Sequence, residues 1–168
     1  MAILKPTLQT ASCIQKWEKP ILTRNEVPYE ASHVFNTGVA KYQGKYVMVF
    51  RDDYNFEENV WPPVKKTKTK LGIAESNDGI HWSVRPTPLF DSASFSDDSD
   101  DSDVRRFYDP RLTIIEGKPY LCFAMDTRHG IRGAIAELND SLNRFNILSV
   151  SAPDNRNMVL FPERLGEL

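Results

Sequence analysis

Gly38-Val39-Ala40-Lys41-Tyr42-Gln43-Gly44-Lys45-Tyr46-Val47-Met48-Val49-Phe50-Arg51 is the stretch that decides the fold. Two runs rich in β-branched and aromatic residues flank a Gln43-Gly44 turn signal, which reads as an antiparallel hairpin. The same plan returns from Pro110 to Ala124, in PRLTIIEGKPYLCFA, around Glu116-Gly117-Lys118. A second pair of segments also matches. LGIAESNDGIHW, from Leu71, and RGAIAELNDSLNRF, from Arg132, share a glycine, an apolar-Ala pair, an acidic residue, an Asn-Asp turn and an aromatic. The segments alternate in the order A, B, A, B, with an offset of roughly 60 to 70 residues, as successive propeller blades do.

The remaining strand signals fit that plan. They fall at 33–40, 45–51, 70–76, 80–84, either side of 116–118, and at 131–137 and 145–150. No window keeps a 3.6-residue apolar period over three turns, so the chain reads as all-β with antiparallel hairpins. Eleven prolines and eight glycines agree with many short elements. At 168 residues the chain is one domain, and its 40% apolar content allows a moderate core.

Charge and cysteine content exclude several functions. A net charge of −2 gives no global attraction for nucleic acid or anionic membranes. No apolar run approaches the ~18 residues of a membrane span. Neither does the N-terminus carry the unbroken apolar core of a signal peptide, so the cytoplasm is the expected location. Cys13 and Cys122 make no disulfide framework, and Cys122 reads as a small core residue. The segment 91–103, DSASFSDDSDDSD, reads as an acidic, solvated loop insertion that lacks the glycine and glutamate of an EF-hand. The lysine-rich run at 65–70 reads as a solvated strand edge.

Candidate chemistry collects where the strands end. Asp109-Pro110-Arg111 places a carboxylate and a guanidinium at a strand start, and proline biases the residue before it toward an extended backbone. Asn36, Arg51 and Asp52 end the first two strands. Arg128, His129 and Arg132 follow the second hairpin, and Arg156 lies in a polar turn before Met158. Carboxylate, amide and guanidinium groups grip sugar hydroxyls and phosphate. The three histidines, His33, His81 and His129, have no metal-ligand spacing, and no metal or cofactor is expected. There is no P-loop and no GxGxxG motif.

On EASHVFNTGVAKYQGKYVMVFR, LGIAESNDGIHW, YDPRLTIIEGKPYLCFA, RGAIAELNDSLNRF and NMVLFPERL, in that order, the chain resembles glycoside hydrolase family 130, the β-mannoside phosphorylases and related hydrolases. The resemblance implies a five-bladed β-propeller with its site in the central funnel, of which this chain would form two to three blades. It implies that Asp109 is the acid that protonates the glycosidic oxygen, directly or through a sugar hydroxyl. Inorganic phosphate, the co-substrate, would attack the anomeric carbon from the opposite face with inversion. Asn36, Arg51, Asp52 and Arg111 would contact the mannoside, and Arg132 and Arg156 the phosphate. Tyr108 stands where an acidic residue is usual, and Arg156 where a lysine is usual.

Under that resemblance the chain covers about half of a propeller. The expectations are then a fragment or truncated form, low activity alone, and completion of the ring by a missing half or a second copy. Three functions compete: a mannoside phosphorylase or hydrolase, a non-catalytic carbohydrate-binding module, and a structural half-propeller. A hydrolase needs a second carboxylate roughly 6.5–9.5 Å from the acid, for which Glu30 and Glu163 are the candidates. A binding module would stack sugars on Trp61 or Trp82.

Overall fold

A computed structural model describes residues 11–14, 17–55, 67–92, 104–163 and 165–166. Among these residues the chain is all-β, apart from one 3-10 turn at Arg24–Glu26, and it forms two antiparallel sheets. The first contains β1 (His33–Tyr42), β2 (Lys45–Tyr54), β3 (Lys68–Ser76), β4 (Ser83–Val84) and β5 (Phe90–Asp91). Its order is β1-β2-β3-β4, and β5 also pairs with β3. The second runs β6 (Val104–Ile115), β7 (Lys118–Thr127), β8 (Gly130–Leu138) and β9 (Phe145–Val150) in sequence order. The described residues form no closed ring of sheets.

The internal repeat is real at the level of register. Both hairpins turn on two residues with positive φ: Gln43 (48°) and Gly44 (81°) in the first, Glu116 (51°) and Gly117 (78°) in the second. That is the primed turn matching the twist of the flanking strands. Further out, Met48 pairs with Ala74 in the first sheet, and the matching Leu121 pairs with Ala136 in the second.

The sheets pack face to face through one apolar core. The first supplies Val47, Val49, Leu71 and Ile73, and the second supplies Phe107, Leu121, Phe123, Met125, Ala134 and Ala136. Phe107 is its aromatic centre, with ring centroids 4.4 Å from Phe90 and 4.9 Å from Phe123. The outer face of the first sheet is covered by the preceding chain: Leu22, Val27, Tyr29 and Ala31 pack on Met48, Phe50 and Ala74. Arg85 clasps the sheets together at one end. It forks onto Glu75 of β3 at 2.6 Å and donates to the carbonyls of Ser141 and Leu142 at 2.8 and 3.1 Å.

Two close contacts set the geometry that matters for chemistry. A Cβ on Gly38 would collide with the backbone nitrogen of Leu112 and come within 2.8 Å of the Arg111 Cα. Glycine therefore lets β1 lie against β6, backbone to backbone. On the outer face of the second sheet, Gly133 makes room for Met158 in the same way, its absent Cβ lying 2.6 Å from the sulfur.

Three expectations need correcting. Asp109 does not start a strand; it lies inside the twelve-residue β6. It is not extended either, for its φ is +56°. The bulge overrides the proline bias, because two residues, Asp109 and Pro110, stand opposite Phe123 alone. The third correction concerns the lysine run. Lys65 and Lys66 lie outside the described residues, but Lys70 is buried, on the interior strand β3. Its ammonium donates to the Glu30 carbonyl at 2.8 Å and caps the Tyr54 ring at 3.6 Å. Residues 93–103 of the expected acidic loop, and Trp61, lie outside the described residues.

Candidate active site

Two β-bulges build the site. On β1, Asn36 is the extra residue between the pairs Phe35–Arg51 and Thr37–Phe50. On β6 the extra residue belongs to the Asp109-Pro110 step. Both Asn36 and Asp109 take left-handed backbones, φ +46° and +56°. Asparagine and aspartate tolerate that region better than other residues with a Cβ, and proline suits a bulge because it has no N–H to leave unpaired. The Gly38 contact brings the two bulges together, and Asn36 Nδ2 donates to Asp109 Oδ1 at 2.7 Å.

Arg51 locks the arrangement from β2. Its Nη1 donates to Asp109 Oδ1 at 2.8 Å, while Nε and Nη2 fork onto Asp53 at 2.8 and 2.6 Å. The guanidinium lies between the rings of Phe35 and Tyr108, 4.6 and 5.0 Å from their centroids. Thr69 Oγ1 adds a 2.9 Å bond to Asp53 Oδ1. Every donor of this cluster is aimed by strand backbone, so the carboxylate of Asp109 is held in one place.

Arg156 arrives from the other side. Its Nη2 pairs with Asp109 Oδ2 at 3.5 Å, and its side chain is 47% exposed against 6% for Asp109. Burial alone would push the Asp109 carboxyl upward. The bonds from Asn36 and Arg51, with the charges of Arg51 and Arg156, outweigh burial and hold it below the usual carboxylate range. Beside it, the Tyr108 hydroxyl donates to Asp126 Oδ1 at 2.7 Å, and Arg106 pairs with Asp126 Oδ2. Burial, then that hydrogen bond, pushes the Tyr108 phenol up.

Asn36, Arg51, Asp109 and Arg156 thus meet at one carboxylate. Other expected site residues do not join them. Asp52 alternates to the opposite face of β2, fully buried, where Oδ1 accepts from the Ser32 amide at 3.0 Å and Oδ2 has no hydrogen-bond partner among the described residues. Burial pushes its carboxyl up, against the pull of the Ser32 amide and Lys70. Arg111 turns back to the Pro110 carbonyl at 2.9 Å. Arg132 shares a face of β8 with the core residues Ala134 and Ala136, and reaches the Ser151 carbonyl at 3.4 Å. His81 binds Asp78 in a surface turn, and Trp82 donates to the Gly79 carbonyl. Glu163 is exposed, and Glu30 meets Lys70 through its carbonyl. Among the described residues no group of histidine, cysteine, aspartate or glutamate could hold a metal ion.

Asp53 and the aromatic pair Phe35 and Tyr108 are the members that strand-end reasoning misses. Their signal is the two-residue period of a strand, which puts Asp53 on the Arg51 face and Asp52 on the other. The aromatics immediately precede the two bulge residues, in matching places of the repeat.

The architecture has counterparts among known proteins. A family model described as β-1,4-mannooligosaccharide phosphorylase matches residues 5–148. The chain belongs to glycoside hydrolase family 130. A β-1,4-mannooligosaccharide phosphorylase of Ruminococcus albus is 30% identical over 156 residues, spanning 88% of this chain and 42% of that protein. The chain therefore spans less than half the length of this family 130 relative. The β-1,2-mannobiose phosphorylase of Listeria innocua, solved with β-1,2-mannobiose, has a TM-score of 0.60 at 18% identity, covering 80% of this chain and 49% of that one. That likeness shows the shared fold. A third structure has a TM-score of 0.52 at 25% identity, covering 68% of this chain and 30% of that one. It is described in work on family 130 glycoside hydrolases that target β-1,2 mannosidic linkages in Candida mannan.

Proposed function

We propose that the two sheets are consecutive blades of a β-propeller and that their facing bulges carry the acid of a β-mannoside phosphorylase. The observation that carries this reading is the Asp109 carboxylate: buried, on a strained backbone, and held by an amide and two guanidiniums, one of them half exposed. Residues held in sparsely populated backbone regions by their surroundings cluster at active sites. In the reaction Asp109, once protonated, gives its proton to the glycosidic oxygen, directly or through a sugar hydroxyl. The bond from the anomeric carbon to that oxygen breaks, and an oxygen of inorganic phosphate forms the new bond from the opposite face. A β-mannoside so yields mannose 1-phosphate of inverted configuration. Asn36 and Arg51 orient the acid and face the sugar; Arg156 serves the phosphate. No metal or organic cofactor takes part in this scheme.

Among the described residues, the carboxylates beside Asp109 are already paired, which supports phosphate rather than water as the nucleophile. An inverting hydrolase needs a free second carboxylate as base. Asp53 is committed to Arg51 and Thr69, and Asp126 to Arg106 and Tyr108.

The test is incubation with β-mannobiose with and without phosphate. It is run on the chain alone and on the chain joined to the remainder of the Ruminococcus albus relative. Mannose 1-phosphate that forms only with phosphate supports the reading. Release of free mannose at the same rate without phosphate would make the protein a hydrolase. Sugar binding with no cleavage in either form would make it a binding module.

A further inference from the structure

An acid catalyst must carry a proton, yet the resting surroundings of Asp109 favour the ionised form. The two carboxylate oxygens are not equivalent in this respect. Oδ1 accepts from both Asn36 and Arg51. Among the described residues, Oδ2 has Arg156 as its partner, through an ion pair of 3.5 Å.

The two arginines differ in their freedom to leave. Arg51 is 13% exposed, forked onto Asp53 and enclosed by two rings. Moving it would strand two buried carboxylates, which is costly. Among the described residues Arg156 makes one long ion pair, reaches the Tyr108 ring only at 5.9 Å, and is half exposed. Its backbone is nonetheless fixed on both sides. Upstream, the Ser151 amide donates to the Gly133 carbonyl at 2.8 Å, and the Asn155 amide to the Ile131 carbonyl at 3.2 Å. Downstream, Met158 seats against Gly133. The result is a half-exposed guanidinium on an anchored stem.

We propose that Arg156 is a displaceable clamp that makes proton loading of Asp109 depend on the arrival of phosphate. This rests on the phosphorylase reading of the site. Arginine pairs with phosphate oxygens through two parallel N–H donors, and a dianion outcompetes a single carboxylate contact. When Arg156 turns to the phosphate, Oδ2 loses its cation and gains a nearby negative charge. Both changes favour protonation, and the proton comes from solvent. It settles on Oδ2, since Oδ1 remains occupied by Asn36 and Arg51. The other charged groups around the carboxylate stay paired: Asp53 with Arg51, and Asp126 with Arg106 and the Tyr108 hydroxyl. The acid is loaded only when the nucleophile is present, so water attack on a bound mannoside goes uncatalysed. Arg156 is in this sense a positioning residue as well as an anion ligand.

The experiment is a carbon-13 NMR titration of the Asp109 carboxyl in the full chain, with and without saturating inorganic phosphate, for the parent, Arg156→Gln and Arg156→Lys. Phosphate should move the parent midpoint upward. Arg156→Gln should start from a raised midpoint without phosphate and respond less to it; Arg156→Lys should restore much of the parent response. A parent midpoint that phosphate does not move overturns the proposal. So does an Arg156→Gln midpoint equal to the parent's in phosphate-free buffer. The mannose 1-phosphate assay stands apart from this result. A phosphate-dependent midpoint without phosphorolysis keeps the clamp and removes the phosphorylase reading. Phosphorolysis with an unmoved midpoint keeps the activity and removes the clamp.

Discussion

Asn36 and Asp109 occupy the same place in two copies of one design, 73 residues apart. Each follows an aromatic residue, each sits at a bulge, and each has a left-handed backbone. One side chain ends in an amide and the other in a carboxylate. The difference teaches where the chemistry comes from. The repeat supplies a left-handed bulge position twice; a carboxylate stands at only one of them, and the other supplies a hydrogen bond to hold it. The strands behind them differ as well. β2 presents Arg51 to this centre, whereas the matching residue of β7 is Ala124. The first sheet brings the cation and the second brings the acid.

Removing the cation is expected to have the largest effect. Arg51→Met keeps the stem but leaves Asp53 and Asp109 without their guanidinium. Breaking a buried pair from one side costs about 3–5 kcal/mol, so a loss of that order is expected in urea unfolding at neutral pH. The sign of the pH dependence follows from the lowered Asp109 carboxyl. Its stabilising contribution is present above the unfolded carboxylate range and is lost as pH falls through the folded value. The deficit of Arg51→Met relative to the parent should therefore shrink in acid.

Separating the two bulges comes next. Gly38→Ala places a methyl group against the Arg111–Leu112 backbone, which cannot move aside as a side chain could. Overpacking typically costs about 1–3 kcal/mol, and a backbone obstacle belongs at the upper end of that range. A parent-like unfolding midpoint would show that β1 and β6 are not in close contact.

Making the two bulges chemically identical has the smallest effect on stability and the sharpest on charge. Asn36→Asp sets two carboxylates where an amide met a carboxylate. Like charges at that distance cannot both ionise, so the pair should share a proton and titrate in two steps, the upper one above the parent Asp109 midpoint. A single, unshifted carboxyl titration would mean that the 2.7 Å contact does not form in solution.

Much of this was legible in the sequence, for physical reasons. The hairpins were readable because Gln43-Gly44 and Glu116-Gly117 are turn residues set between β-branched runs. The meeting of Asn36, Arg51, Asp109 and Arg156 was legible through the family resemblance, whereas the strand-end argument misplaced three of them, which lie inside β1, β2 and β6. The conformation of Asp109 was not readable, since proline following it argues for an extended residue and only the facing strand reveals the two-against-one bulge. The strand period could have separated Asp52 from Asp53, but a strand-end argument ignores which face a residue takes. Lys70 looked like an edge lysine because nothing local tells that β4 and β5 cover the far side of β3.

The most direct test of the account is the rate of mannose 1-phosphate formation by Asp109→Asn beside the parent, both joined to the remainder of the Ruminococcus albus relative and supplied with an unactivated β-mannoside and phosphate. The amide keeps the shape of the carboxyl and can still accept from Asn36, but it has no proton of suitable acidity to give. The account predicts a loss of about 10²–10⁴-fold in turnover with sugar affinity unchanged. Full turnover by Asp109→Asn would contradict it and reduce Asp109 to a structural bulge residue.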